Sequence, residues 1–183
     1  LVGTNSDGDR QKQLDVIADD IFCASLKDAG VGFYASEERE TIETLNKDGD
    51  LGVAIDPLDG SSNIDCNVSI GTIFSIKEVR NKNHPQEDFF VLGDYLASGY
   101  FIYGPQTILV FTVGSGILKF LLNVEDYKFN VVSSNMKISE QTQEYAINSS
   151  NSRYWPAPVR SYIEELLDGY AGPRKKKLQY ALG

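Results

Sequence analysis

A short apolar run, Leu51-Gly52-Val53-Ala54-Ile55, stops abruptly at Asp56-Pro57-Leu58-Asp59-Gly60-Ser61-Ser62-Asn63. A run of that length, bounded by Pro and Gly, reads as a buried strand that delivers a loop at its end. Two aspartates separated by Pro57 and Leu58 converge on one locus if the loop turns sharply, because Pro57 fixes φ between them. Hard divalent cations such as Mg²⁺ select oxygen donors, and the Leu58 carbonyl adds one more. Gly60 lets the backbone approach a ligand closely. Ser61, Ser62 and Asn63 suit a helix start, where unpaired N–H groups hold a phosphate. Asp-Pro and Asp-Gly are also ordinary turn dipeptides with solvated aspartates. The whole eight-residue run after a buried strand favours a site.

Two other acidic groups fit the same scheme. Glu37 and Glu38 end an apolar stretch, Val31 to Ser36, so they fall at the same sheet edge as Asp56 and Asp59. Neighbours in a strand point to opposite faces, which gives the pair separate roles, one toward metal and one toward protons. Taken alone, Glu37-Glu38 is a solvated charge run, since Arg39 and Glu40 continue it. Asp9 and Asp15 flank the first turn of a helix that starts near Gln11. Leu14, Ile17, Ala18, Ile21 and Phe22 recur at helical spacing as its apolar stripe, with Asp9 as cap and Gly30 as stop. Cys23 falls on that stripe and reads as core. Asp15 sits beside the stripe, an unusual place for a carboxylate.

Composition excludes several alternatives. The 183 residues carry 17 Lys plus Arg against 26 Asp plus Glu, a formal net charge of -9, which disfavours nucleic acid and anionic membranes. An acidic chain that handles phosphates needs local cations. No apolar stretch reaches the roughly 20 residues that span a bilayer. Two cysteines, Cys23 and Cys66, suit a reducing compartment, and cytoplasm is the expected location. Cys66 is expected to be partly buried, and two such cysteines lack zinc-site spacing. The one histidine, His84, lies in a polar loop before Pro85, so a nucleophile–histidine engine has no good base.

Downstream, strands are expected over residues 69–76, 95–103, 107–113, 116–122, 129–132 and 145–148, with Gly114-Ser115-Gly116 as a hairpin turn. Residues 1–10 read as loop and 39–50 as a surface loop or short helix. A short amphipathic helix covers 159–167, and Arg174 to Lys177 form a basic exposed tail.

Asp56 to Asp65, followed by Val68-Ser69-Ile70-Gly71-Thr72-Ile73-Phe74, resembles the signature of class 1 fructose-1,6-bisphosphatases. Gly8-Asp9, Leu14-Asp15-Val16, Ser36-Glu37-Glu38, Ala97-Ser98-Gly99-Tyr100, Tyr103-Gly104 and Tyr145-Ala146-Ile147-Asn148 fall in the family's order. The resemblance runs from about Gly8 to about Arg174. Inositol monophosphatases share the metal signature but usually resemble Asp-Pro-Ile-Asp-Gly-Thr. Sedoheptulose-1,7-bisphosphatases depart at Asn63, and both remain alternatives, as does a non-catalytic module that keeps the fold.

The resemblance implies an α/β layered sandwich of the sugar-phosphatase type. Residues 1–136 would be the metal-binding N-terminal domain and 137–183 the start of a C-terminal domain. Glu37, Asp56, Asp59 and the Leu58 carbonyl would bind Mg²⁺, two or more ions per subunit, with Mn²⁺ as a substitute. Asp9 would support a further ion. Glu38, with Asp15, would activate the attacking water. Asp59, Gly60, Ser61 and Ser62 would hold the 1-phosphate, and Asn148 the 6-phosphate. The implied reaction converts fructose 1,6-bisphosphate to fructose 6-phosphate and phosphate, in gluconeogenesis or the reductive pentose phosphate cycle, in a homotetrameric parent. The chain departs from the family at Asp50-Leu51, where some members carry Lys-Tyr, at Asn151, where some carry Tyr, and from Lys175 onward. It is therefore expected to be an internal fragment with little activity alone.

Overall fold

The computed structural model describes residues 3–4, 10–11, 13–91, 93–142, 144–173 and 179–180. They divide into two compact units, Leu1–Met136 and Lys137–Gly183.

In the first unit, β1 (Gly3–Thr4) pairs antiparallel with β2 (Arg10–Gln11), within a stretch read as loop from sequence. Helix α1 (Gln13–Asp28) follows. Strands β3 (Phe33–Ser36), β4 (Glu43–Thr44), β5 (Leu51–Asp59) and β6 (Ile70–Glu78) come next. A four-residue helix, α2 (Gln86–Phe89), interrupts the polar connection. Strands β7 (Tyr95–Tyr103), β8 (Thr107–Thr112), β9 (Ile117–Asn123) and β10 (Lys128–Ser133) complete the unit. The eight strands from β3 to β10 form one mixed sheet in the order β10-β9-β8-β7-β6-β5-β3-β4. All neighbours are antiparallel except β3 and β5, which run parallel. The architecture is mixed α/β.

The long antiparallel run follows from turn chemistry. Gly114 and Gly116 both adopt positive φ between β8 and β9, which costs a glycine little. The parallel pair matters more for function. It sets the carboxyl ends of β3 and β5 side by side, with Ser36 opposite Ile55.

The core lies where α1 covers the sheet. Val31, Tyr34, Val53 and Ile55 are buried there, with Phe22, Cys23, Leu26, Phe74 and Ile76 packed around them. On the same sheet face a chain of rings extends the apolar surface. Phe74 lies 5.9 Å from Phe101 and 6.1 Å from Phe111, and Phe101 lies 5.8 Å from Phe129. Such tilted and offset pairs favour the ring quadrupoles beyond their area burial.

Helix α1 corrects the expected stripe. Leu14, Ile17 and Ile21 are 47%, 44% and 60% exposed, whereas Asp15 and Asp19 are only 3% and 4% exposed. The face toward the sheet combines the two aspartates with Phe22, Cys23 and Leu26. Polar bonds set this rotation: Tyr34 Oη donates to Asp19 Oδ1 at 2.8 Å, and Arg39 Nε donates to Asp19 Oδ2 at 2.5 Å. The helix ends as expected at Gly30, whose φ is 82°. Val31 N donates to Leu26 O and Gly30 N to Lys27 O, both at 3.0 Å, a Schellman closure. Another polar group absent from the sequence reading is Lys77, which is buried on β6. Its Nζ donates to Asp88 O at 3.2 Å and to Val91 O, and lies 4.5 Å from the Tyr95 ring centroid.

The second unit is small. β11 (Glu144–Tyr145) pairs parallel with β12 (Gln179–Tyr180), so the strand expected over 145–148 is shorter and begins earlier. Asn148 instead caps a 3-10 turn, Ser149–Tyr154. Helix α3 (Ala157–Leu167) buries Ile163 and Leu166. These two, with Tyr145, Ile147, Val159 and Tyr162, line a cavity of about 480 Å³. The tail from Arg174 to Lys177 lies outside the described residues. No helix among the described residues is long and apolar enough to cross a membrane.

Burial makes opposite forecasts for two aliphatic residues. Val53→Ala should lower the unfolding free energy by about 2 kcal/mol, as large-to-small core changes do. Ile21→Ala should change it by less than about 0.5 kcal/mol, because its side chain is already exposed. Urea denaturation of the chain measures both. A larger loss at Ile21 would restore the helix orientation that the sequence suggested.

Candidate metal and phosphate site

The aspartate motif is not a loop beyond a strand. β5 continues through it to Asp59, with Asp56 opposite Ile73 and Asp59 opposite Gly71 on β6. Three steps along β5 thus match two along β6, so the chain bulges between the two aspartates. The bulge is held from both sides. Leu58 N donates to Asp56 Oδ1 at 3.1 Å, a local turn of the kind aspartate favours. Thr72 Oγ1, fully buried on β6, donates to the Pro57 carbonyl at 2.9 Å. Tyr103 Oη lies 2.8 Å from the same hydroxyl. With the Thr72 proton committed to Pro57, Tyr103 is the donor in that second bond. Burial pushes the Tyr103 phenol up, which keeps its proton in place.

Gly60 leaves the strand at φ 76°, a left-handed turn that a side chain would strain. A 3-10 turn, Ser61–Cys66, follows in place of the expected helix start. Asn63 N closes it back to Gly60 O at 2.8 Å. Ser61 is half-buried and Ser62 exposed. Cys66 is exposed, against the expectation of partial burial. The adjoining groove of about 570 Å³ is lined by Ile64, Val68, Ile70, Tyr103, Pro105 and Thr107 among others.

Glu37 and Glu38 lie in the turn just after β3, not in the strand, so strand alternation does not set their directions. Glu37 N donates to Ile55 O at 3.1 Å, and Glu38 N to Ser36 Oγ at 3.2 Å. The Glu37 side chain hydrogen-bonds that of Asp56. Burial raises the Asp56 carboxyl above the usual carboxylate range. Bonds from Glu37 and the Leu58 N–H oppose this, and the charges of Asp59 and Asp15 reinforce it. Four acidic residues from α1, the β3 turn and β5 therefore act on one neighbourhood.

The donor chemistry suits a hard divalent cation, since every candidate atom is oxygen and the groups repel one another. Among the described residues, no three Asp, Glu, His or Cys side chains are drawn together as a finished cage. The contact that exists is Glu37 with Asp56. Asp9 lies outside the described residues. Asn148 belongs to the second unit, where its Oδ1 accepts from Ser150 N at 3.1 Å and from Ser150 Oγ.

A model of the fructose-1,6-bisphosphatase N-terminal domain matches residues 2–134. The chain belongs to the fructose-1,6-bisphosphatase family. A class 1 fructose-1,6-bisphosphatase of Cereibacter sphaeroides is 49% identical over 175 residues, 95% of this chain and 52% of that relative. One from Paracoccus denitrificans is 49% identical over 177 residues, 96% of this chain and 53% of its own length. The holo form of the Leishmania major fructose-1,6-bisphosphatase superposes with a TM-score of 0.89 at 30% identity, covering 99% of this chain and 58% of that one. The chain thus spans about half the length of the curated relatives it matches.

Some supporting residues of this family member were missed from sequence. In sequence Thr72 and Tyr103 carry no signal of a role, and Arg39 looks like a continuation of the charge run. The register signal for Thr72 is visible only once β6 lies beside the bulge.

Two forecasts follow from this arrangement. Thr72→Val removes the bond that clamps Pro57, and should lower stability by about 1–3 kcal/mol, with Tyr103→Phe nearer 1 kcal/mol. Thermal denaturation of both variants measures this, and equal losses would contradict the hydroxyl chain. The second concerns pH. A carboxyl raised by folding contributes stability that is complete in acid and lost as pH rises through its folded value. Without divalent ions, Asp56→Asn should therefore melt higher than the parent at neutral pH and converge with it in acid. A variant that melts lower at neutral pH would reverse the sign of the Asp56 shift.

Proposed function

We propose that this chain carries the metal and 1-phosphate side of a Mg²⁺-dependent sugar bisphosphatase acting on fructose 1,6-bisphosphate. The observation that supports it best is the meeting of Glu37 with Asp56 at a bulge that leads directly into Gly60-Ser61-Ser62. In this reading Glu37, Asp56, Asp59 and the Leu58 carbonyl hold Mg²⁺, two or more ions, with Mn²⁺ as a substitute and Asp9 supporting a further ion. Bound there, the cations would lower the pKa of a coordinated water and neutralise charge on the transferring phosphoryl group.

The chain's own residues do the rest. Gly60, Ser61 and Ser62 offer N–H and hydroxyl donors to the oxygens of the 1-phosphate. Glu38, assisted by Asp15 on α1, activates the attacking water by accepting its proton. Attack in line with the ester oxygen breaks the phosphorus–oxygen bond and leaves fructose 6-phosphate and inorganic phosphate. Asn148 holds the 6-phosphate. A homotetrameric, cytoplasmic parent accompanies this reading.

Phosphate release by the complete gene product tests it. Release from fructose 1,6-bisphosphate should require Mg²⁺, and Glu38→Gln should cut kcat by roughly 10²- to 10⁴-fold, the usual contribution of a general base. Sedoheptulose 1,7-bisphosphate as the better substrate would move the reading to that relative. No Mg²⁺-dependent release from either sugar would leave a module that keeps the fold without the chemistry.

A further inference from the structure

In the charge run that follows Glu37 and Glu38, Glu40 is exposed but Arg39 is not a solvated side chain. Arg39 turns back onto α1 and makes four contacts. Its Nε donates to Asp19 Oδ2 at 2.5 Å, one terminal nitrogen donates to Asp20 Oδ1 at 3.2 Å, and the other donates to Glu43 Oε1. Its guanidinium carbon stands 5.5 Å from the Tyr34 ring centroid. Asp19 uses both carboxylate oxygens, since Tyr34 Oη donates to Oδ1 at 2.8 Å. One planar fork thereby joins α1, β3 and β4.

Two sequence distances give this knot its meaning. Asp15 precedes Asp19 by one helical turn on the same buried face of α1. Glu37 precedes Arg39 by two residues in the turn after β3. The knot thus ties the helix that carries Asp15 to the turn that carries Glu37 and Glu38. It also places a cation among Asp19, Asp20 and Glu43, next to a cluster that is otherwise acidic. A buried carboxylate that loses its partner is strongly destabilised, so Asp19 would withdraw without Arg39 and take Asp15 with it. Lysine offers a point charge in place of a fork and cannot reach three carboxylates at once.

We propose that Arg39 is a positioning residue, which sets divalent-ion affinity by fixing α1 and the Glu37–Glu38 turn in register. This rests on the metal-site reading above. The complete gene product provides the test, with Mn²⁺ as the probe ion. Mn²⁺ binding is read by electron paramagnetic resonance and Mg²⁺ binding by the shift in melting temperature. Arg39→Met should weaken Mn²⁺ binding by about 10-fold or more, a loss of the size expected for a charge-assisted contact. Arg39→Lys should recover part of the loss. The Mg²⁺ concentration for half-maximal rate should rise, with KM for the sugar bisphosphate unchanged. Val53→Ala serves as the structural control, because it loosens the same core without touching the fork, and it should leave Mn²⁺ affinity as it was. If Arg39→Met does not fold, Tyr34→Phe carries the test, since it removes one Asp19 bond and keeps the ring. Unchanged Mn²⁺ affinity in the folded variants, or an equal loss in Val53→Ala, overturns the assignment of Arg39 while the metal site stands. A parent protein that binds no divalent ion overturns both.

Discussion

Carboxylates gathered at one sheet edge repel one another, and the surrounding structure is organised to withstand that repulsion. Glu37 touches Asp56, with Asp59 and Asp15 near enough to act on its charge. Left free, such a group would spread into solvent. Here each member is fixed through its backbone or its helix. The Asp56–Asp59 bulge is clamped at Pro57 by Thr72, and the β3 turn is bonded to Ile55. The fold therefore supplies position against that repulsion.

Much of this was legible in the sequence for a physical reason. The strand pattern of β5 to β10 is carried by apolar alternation and glycine turns, which are local signals. The Asp56-to-Asn63 run stands out because Pro, Gly and two acids follow directly on a buried apolar strand. Such compact signals do not depend on knowing what packs against them.

The misread parts depend on partners far along the chain. Periodicity showed that α1 is amphipathic, yet Leu14, Ile17 and Ile21 face outward. Hydrophobicity alone cannot weigh a buried Asp19 bonded to Tyr34 and Arg39 against an apolar stripe. The bulge likewise looks like a loop in sequence, because the continued pairing of Asp59 with Gly71 depends on β6. Arg39 looked like surface charge because its acceptors Asp19 and Asp20 lie a helix and a strand away.

The single parallel pair in the sheet has a wider consequence. Because β3 and β5 point the same way, their neighbouring ends bring Glu37 and Asp56 together from one uninterrupted stretch of chain that also includes Asp15 and Asp59. All four acids thus come from a contiguous block. Their mutual placement therefore depends on how this one block folds on itself and needs no residue from the second unit.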